Sequence, residues 1–286
     1  MTRTAYVNGD YLPIEDAKIS ILDRAFLFGD GIYEVTAVLD RRLLDISGHL
    51  ARLRRSLREM KIDFPMSDEA LVDIHLELGR RNGLEEGLIY LQITRGAADR
   101  DFPFPENIKP TMVLFTQEKK FGDSPLSRTG AKVVSTPDIR WQRRDIKSTA
   151  LLAQVFAKQV ASDAGCYEAW MTEDGFVTEG SSSSAFIITP ERAIVARPIN
   201  NQILAGITRQ SVLKLAAEQG LKVEDRRFTL EEAYQASEAF LTSASSLVMP
   251  IVQIDDKIIG DGKPGPLSLR LRELYLELAQ TEEPRI

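Results

Sequence analysis

The spacing of apolar residues changes several times along the chain, and each change marks an expected element. Short alternating runs predict strands over residues 5–8, 32–39 and 43–46. A helical stripe follows, with Leu50, Leu53, Leu57 and Met60 on one face and Ser47 as its candidate N-cap. A second helix is predicted over 68–81, stopped by Asn82-Gly83. Strands at 88–95 and 111–117 flank 96–110, a stretch rich in Pro, Asp and Asn that reads as a long loop of the kind that often carries function. Polar residues with Gly122 and Pro125 predict a linker over 119–129. Beyond it the pattern predicts a strand at 131–136 and an apolar helix over 149–164 ended by Gly165. Strands at 167–172, 185–189 and 193–196, a helix over 208–219, a strand at 239–243 and a terminal helix over 267–279 complete it. Strands and helices mix without regular strand–helix–strand alternation. The expectation is an α+β fold in two domains, 1–118 and 130–286, joined by the linker.

Composition narrows the function classes. A chain of 286 residues with 43% apolar content can bury a large core. The formal net charge of -6 argues against a nucleic-acid or anionic-membrane surface. No apolar run approaches the roughly 20 residues that a membrane helix needs. Cys166 stands alone, so no intramolecular disulfide forms, and residues 1–9 hold no signal-type apolar stretch; the expectation is a cytoplasmic protein. Glycine-rich nucleotide loops are absent in both their P-loop and dinucleotide forms. His49 and His75 lie far from Cys166, which leaves no metal site in view. Both fall in predicted helices without a nucleophile elbow, which argues against a Ser-His-Asp triad.

Four scattered segments remain as candidate chemistry, each with an ordinary alternative. Gly206 to Arg209 open a helix whose free N–H groups, with the Thr208 hydroxyl, suit a phosphate; alternatively Thr208 is only an N-cap. His49 and Arg52 share a helix face away from the leucines, where Arg52 can clamp a phosphate or simply be solvated. Lys147 follows Arg143 and Arg144 in a strand-to-helix joint. Nearby cations disfavour an ammonium, as a Schiff-base lysine requires, but a surface lysine fits the composition equally well. Glu179 ends a strand in a small-residue turn, placed either to hold a pyridinium N–H or as an ordinary turn glutamate. Together they supply an amine, a ring acid and phosphate donors.

Eight ordered segments carry a family resemblance: FGDGIYEV at 28–35, HLARL at 49–53, YLQITRG at 90–96, DIRW at 138–141, DIKS at 145–148, GCYE at 165–168, TEGSSS at 178–183 and LAGITR at 204–209. With these the chain resembles the class IV (fold type IV) aminotransferases, which depend on pyridoxal 5′-phosphate, and among them the bacterial D-amino-acid aminotransferase group. The resemblance implies a two-domain fold with the cofactor between the domains. It implies that Lys147 condenses with the cofactor and moves a proton, and that Glu179 pairs with the pyridine nitrogen. It implies that Arg52, Ile207 and Thr208 hold the phosphate, with Ser243 and Ala244 in the TSAS turn at 242–245 beside it, and that Leu204 packs on the ring. Tyr33, Arg100, Phe102 and Ser183 fall at substrate positions, Arg100 reaching a neighbouring subunit's site in a homodimer with shared active sites.

The departures bear on substrate range. Phe102 stands where the group carries a histidine; the missing donor costs about 1–3 kcal/mol of carboxylate binding if nothing replaces it. Ala37 replaces a lysine, and Ala244 a threonine that touches the phosphate, leaving Ser243 or Ser245 for that contact. The expected reaction is transfer of an amino group from a D-amino acid to 2-oxoglutarate or pyruvate. The alternatives are a branched-chain or other L-amino-acid aminotransferase, an (R)-amine transaminase, aminodeoxychorismate lyase and a non-catalytic cofactor-binding protein.

Overall fold

A computed structural model describes residues 2–286, which divide into two compact units. The first holds 2–120 together with Ile146–Ala150 and Ala279–Ile286; the second holds Phe121–Asp145 and Leu151–Leu278.

In chain order the first unit contains β1 (Thr4–Val7), β2 (Asp10–Pro13), α1 (Arg24–Phe28), β3 (Gly31–Leu39), β4 (Arg42–Leu43), α2 (Ile46–Met60), α3 (Asp68–Arg81), β5 (Gly87–Thr94) and β6 (Thr111–Glu118). The strands form one antiparallel sheet in the order β2-β1-β6-β5-β3-β4. Alternation gives this sheet two faces. Ile32, Val38, Ile89, Leu91, Ile93, Met112 and Leu114 join Leu50, Leu53, Leu57, Leu71 and Leu78 of α2 and α3 in one core. The opposite face carries Tyr33, Val35, Tyr90, Gln92, Val113 and Phe115, all half-buried. The predicted helix over 68–81 forms with those bounds: Ser67 accepts from the Ala70 N–H, acids fill the first turn and arginines the last.

The second unit runs α4 (Pro125–Thr129), β7 (Ala131–Pro137), α5 (Leu152–Asp163), β8 (Glu168–Glu173), β9 (Phe176–Gly180), β10 (Ser184–Ile188), β11 (Ile194–Ala196), α6 (Ile207–Glu218), β12 (Val223–Asp225), α7 (Leu230–Tyr234), β13 (Glu238–Ser243), β14 (Leu247–Ile254), β15 (Lys257–Ile258) and α8 (Pro266–Ala279). Its sheet is mixed, ordered β12-β11-β10-β13-β14-β7-β8-β9, with β15 on β14 and parallel pairs at β11/β12, β14/β7 and β7/β8. Among the described residues no helix is long and apolar enough to cross a membrane.

Four expectations change. Residues 43–46 are not a strand: β4 stops at Leu43, and Ile46 opens α2 after Asp45 turns the chain at φ 53, a left-handed conformation that aspartate tolerates. Ser47 is therefore inside the first turn and not the N-cap. The apolar helix begins at Leu152 and not at 149, because the preceding residues pair with β3 instead. The stretch 119–129 is more ordered than a linker, since Phe121 is buried, α4 occupies its end and Arg272 donates to the Phe121 and Gly122 carbonyls. Strand β14 is unpredicted, because Pro250 argues against a central strand. It is accommodated because pairing with β7 begins only at the next residue, Ile251.

Glu238, at the start of β13, is buried and accepts from the N–H groups of Leu267 (3.0 Å) and Ser268 (2.8 Å), capping α8 from across the unit. Glu238→Ala should cost about 1–3 kcal/mol by leaving buried donors unpaired. A lowered urea midpoint at unchanged m-value would register it; an unchanged midpoint would remove Glu238 as the cap.

Candidate functional site

Strand β3 sorts its side chains by parity. Glu34 points to the helices and is buried, accepting from Arg52 Nε at 2.8 Å and Nη2 at 2.7 Å and lying 2.8 Å from His49 Nδ1. His49 and Arg52 are thus buried residues of α2, and the solvated-face alternative fails. Burial opposes ionisation of Glu34, but the Arg52 charge and hydrogen bonds, with His49, outweigh it and hold the carboxyl down at about 2. Two nitrogens of the Arg52 fork serve Glu34, an engagement the sequence did not suggest.

The other parity carries Tyr33. The segment Ile146–Ala150 pairs alongside β3: the Tyr33 N–H donates to the Lys147 carbonyl (3.0 Å), Ile32 bridges Ser148, and the Thr149 N–H donates to Gly31 (3.0 Å). This pairing sets Lys147 Nζ 4.2 Å from the centre of the Tyr33 ring. Among the described residues no carboxylate pairs with that amine. Arg143 and Arg144, expected to act on Lys147, instead bind Asp145 and Glu173. Tyr33 stacks on Tyr90 (5.6 Å) and Tyr90 on Phe115 (4.8 Å), while Tyr90 Oη donates to Gln92 at 2.7 Å. Sequence reasoning did not single out Tyr90, although its strand register opposite Val35 was the available signal.

The loop after β5 is anchored at its base. Buried Asp30 accepts from Arg24 Nε (2.8 Å) and from Arg95 Nε (2.8 Å) and Nη2 (3.0 Å). Burial opposes the Asp30 charge, but these bonds prevail and hold its carboxyl below the usual range. Arg24 also donates to the Asp101 and Phe102 carbonyls, and Arg95 lies 3.6 Å over the Phe104 ring. Arg100 is exposed, 5.4 Å from the centres of both Phe28 and Phe102, and Phe102 is 74% exposed.

In the second unit Glu179, on β9, is buried. Its carboxylate accepts from Arg140 Nη1 and from the Leu204 N–H at 3.1 Å. Burial pushes the Glu179 carboxyl above its ordinary range, and Arg140 and Leu204 pull against that. Thr208 is the second residue of α6 and not its N-cap. Gly206 holds the cap position with no side-chain acceptor, and a Cβ there would sit 2.8 Å from Ser184 Oγ. The first-turn N–H groups of Ile207 and Thr208 therefore lack a side-chain cap. Ser243 Oγ lies 3.4 Å from Ser245 Oγ, and the preceding Thr242 hydroxyl is buried without a partner; Ala244 adds no polar group. Ser183 donates to buried Glu168 (3.2 Å), as do Ser181 and Ser182, so its hydroxyl is already engaged.

A pyridine aldehyde phosphate needs an amine without an ion pair, a buried acid for the ring nitrogen, and uncapped N–H donors for the phosphate. In the first unit Lys147 presents the amine, and in the second Glu179 and the start of α6 present the acid and the N–H donors, so the donor chemistry of each unit suits such a group.

The class IV aminotransferase family model matches residues 31–254, and the chain belongs to that family. D-alanine aminotransferase of Staphylococcus haemolyticus is 38% identical over 272 residues, covering 94% of this chain and 95% of the relative. The Bacillus licheniformis D-alanine aminotransferase is 37% identical over 261 residues, with 91% and 92% covered. Among solved structures, the T.th. branched-chain amino acid aminotransferase with pyridoxamine 5′-phosphate superposes with a TM-score of 0.91 at 28% identity, covering 99% of this chain and 96% of that one. The Escherichia coli branched-chain enzyme, at 20% identity and a TM-score of 0.92, covers 99% and 97% and shares the fold. The architecture is the α+β fold type IV.

The Glu34 pair has a consequence with pH. A folded-state value near 2 against an ordinary 4.5 means that its stabilisation is complete above about 4.5 and is lost as pH falls toward about 2. Glu34→Gln should flatten the acid limb of a stability–pH curve below about pH 5. A variant curve that keeps the wild-type slope there would sink this assignment.

Proposed function

We propose that this protein is a D-amino-acid aminotransferase that uses pyridoxal 5′-phosphate to pass an amino group from a D-amino acid to 2-oxoglutarate or pyruvate. The observation that carries the reading is Lys147, an amine without a carboxylate partner, held over Tyr33 in a member of this family. The likeness to D-alanine aminotransferases over most of the chain supports the D-series.

When bound, the cofactor supplies an aldehyde for the amine and a ring that takes up the electron pair released at the substrate carbon. Lys147 takes the proton from Cα and returns it at the other carbon. Glu179 keeps the ring nitrogen protonated, with Leu204 orienting that carboxylate through its N–H. Ile207 and Thr208 offer backbone N–H groups, and Arg52 its charge, to the phosphate; Ser243 and Ala244 form the adjoining turn. Tyr33 and Ser183 border the substrate, and Arg100, backed by Phe102, receives a carboxylate.

We also propose a homodimer. On α5, Ala157 and Ala161 are buried, while Leu152, Val155, Phe156 and Val160 are 69%, 60%, 58% and 41% exposed. A stripe of this kind on a helix is suited to a second copy. The lone cysteine and the absence of disulfides suit a cytoplasmic enzyme. A second reading, an L-branched-chain enzyme, draws on the T.th. structure at 28% identity.

With cofactor added, the protein should absorb in the visible, borohydride should fix the cofactor on Lys147, and D-alanine should bleach the band faster than L-leucine. Lys147→Ala should lose the reducible attachment and at least about a hundredfold in half-reaction rate. Faster reaction with L-leucine selects the second reading, and no attachment to Lys147 rejects both. Light scattering should give about twice the 32.0 kDa chain mass, and Phe156→Glu should shift the species toward monomer. A monomeric wild type removes the dimer.

A further inference from the structure

Behind Glu179, the second unit holds a directly bonded row of charges. Glu173, at the outer end with 31% side-chain exposure, receives Arg144 Nη2 at 2.8 Å and Nη1 at 2.9 Å. Arg144 Nη1 stands 3.3 Å from Asp138 Oδ2. Asp138, with a fully buried side chain, binds Arg140 through Nε (2.9 Å) and Nη2 (2.7 Å) and accepts from Thr178 Oγ1 (2.7 Å). Arg140 then reaches Glu179 Oε1 through its remaining terminal nitrogen, Nη1. The order is carboxylate, guanidinium, carboxylate, guanidinium, carboxylate, so the row carries one negative charge in excess. Arg197 and Arg209 also stand near but direct their hydrogen bonds to the Val177 carbonyl, the Gln202 side chain and the Arg197 carbonyl.

The inner end is unevenly satisfied. Glu179 Oε1 receives both Arg140 and the Leu204 N–H at 3.1 Å, whereas Oε2 receives only that same N–H at 3.3 Å. Oε2 is the oxygen with capacity for an outside cationic N–H donor. The strength with which it accepts depends on how far Arg140 is drawn to Asp138 instead. Bonds in such a row polarise one another, so a change at one member is felt at the next.

We propose that Asp138 and Arg140 are positioning residues that set how strongly Glu179 holds a protonated ring nitrogen, with Glu173 at the surface end of the same row adjusting that hold. Removing the Asp138 charge leaves Arg140 acting on Glu179 alone, which makes Glu179 a weaker acceptor. Removing the Glu173 charge turns Arg144 toward Asp138, loosens the Asp138 hold on Arg140, and acts in the same direction with a smaller effect. Burial opposes the Asp138 charge, but the Arg140 hydrogen bonds outweigh it and keep the carboxyl below its usual range, so Asp138 holds Arg140 as a carboxylate.

The inference rests on the proposed cofactor, and its test separates the two. Apo-protein is titrated with pyridoxal 5′-phosphate and with its 1-deaza analogue, which has C–H in place of the ring nitrogen, for wild type, Asp138→Asn and Glu173→Gln. Dissociation constants are read from absorbance, and apo-protein melting is recorded alongside. Wild type should prefer the nitrogen-bearing cofactor. That preference should shrink roughly tenfold in Asp138→Asn and about twofold in Glu173→Gln, whose carboxylate is partly exposed, while the analogue binds all three alike. Variants that weaken both cofactors equally show a purely structural row and overturn the inference, as does an unchanged preference. Should Asp138→Asn fail to fold, Glu173→Gln decides alone. A wild type that takes up neither cofactor overturns the cofactor reading and this inference together.

Discussion

The position of one amine depends on the backbone pairing between β3 and Ile146–Ala150. The Tyr33 N–H bonds the Lys147 carbonyl, and the Thr149 N–H and hydroxyl bond the Gly31 and Gly29 carbonyls. So close an approach needs small residues opposite. Gly29 turns at φ 68, and a Cβ on it would meet Ala150 at 3.2 Å; a Cβ on Gly31 would meet the Ile93 carbonyl at 3.1 Å. Between these glycines lies Asp30, which ties Arg24 and Arg95 beneath the loop after β5. One short turn therefore sets both the lysine and the loop that carries Arg100.

Three buried carboxylates show how the same desolvation ends differently. Asp30 and Glu34 each receive guanidinium nitrogens at 2.7–3.0 Å from the arginines committed to them, and both remain well ionised. Glu179 shares Arg140 with Asp138, so less of that charge reaches it and burial prevails. The first two are anchors whose proton affinity is far from use. The third has its carboxyl raised by burial, a direction that would suit the proton-sharing role proposed for it.

Much of this was legible in the chain, for reasons that can be named. The helix over 68–81 carries its own cap, charge order and stop, so local chemistry alone determines it. Strands β5 and β6 announce themselves by alternation, and the eight family segments led to Lys147, Glu179 and the start of α6. What stayed hidden depends on tertiary partners. His49 and Arg52 look solvated until Glu34, on a strand, is known to face them. Pro250 masks a central strand because only the neighbouring register shows that pairing with β7 starts one residue later, at Ile251. Asp138 and Arg140 stand two residues apart near a strand end, a pattern shared with countless surface turns; only the fold discloses that both are buried. The apolar pattern over 149–164 misled in its first residues, because β-pairing captured them before the helix began.

The loop at 96–110 brings these threads to substrate choice. Its tip is exposed, yet it is not loosely held: Arg24 grips two of its carbonyls and Arg95 stacks on Phe104. Arg100 packs beside a pair of touching phenyl rings, Phe28 from the end of α1 and Phe102 from the loop itself, whose centres are 5.5 Å apart. The paired rings give the guanidinium an aromatic contact on one side and leave its other side to solvent. Phe102 therefore supplies no side-chain hydrogen-bond donor to the loop and offers Arg100 an aromatic contact instead. A pre-ordered arginine loses less freedom when a carboxylate docks. Under the proposed function, that saving would offset part of the hydrogen bond that Phe102 cannot make, so carboxylate binding at Arg100 would be weakened and not abolished.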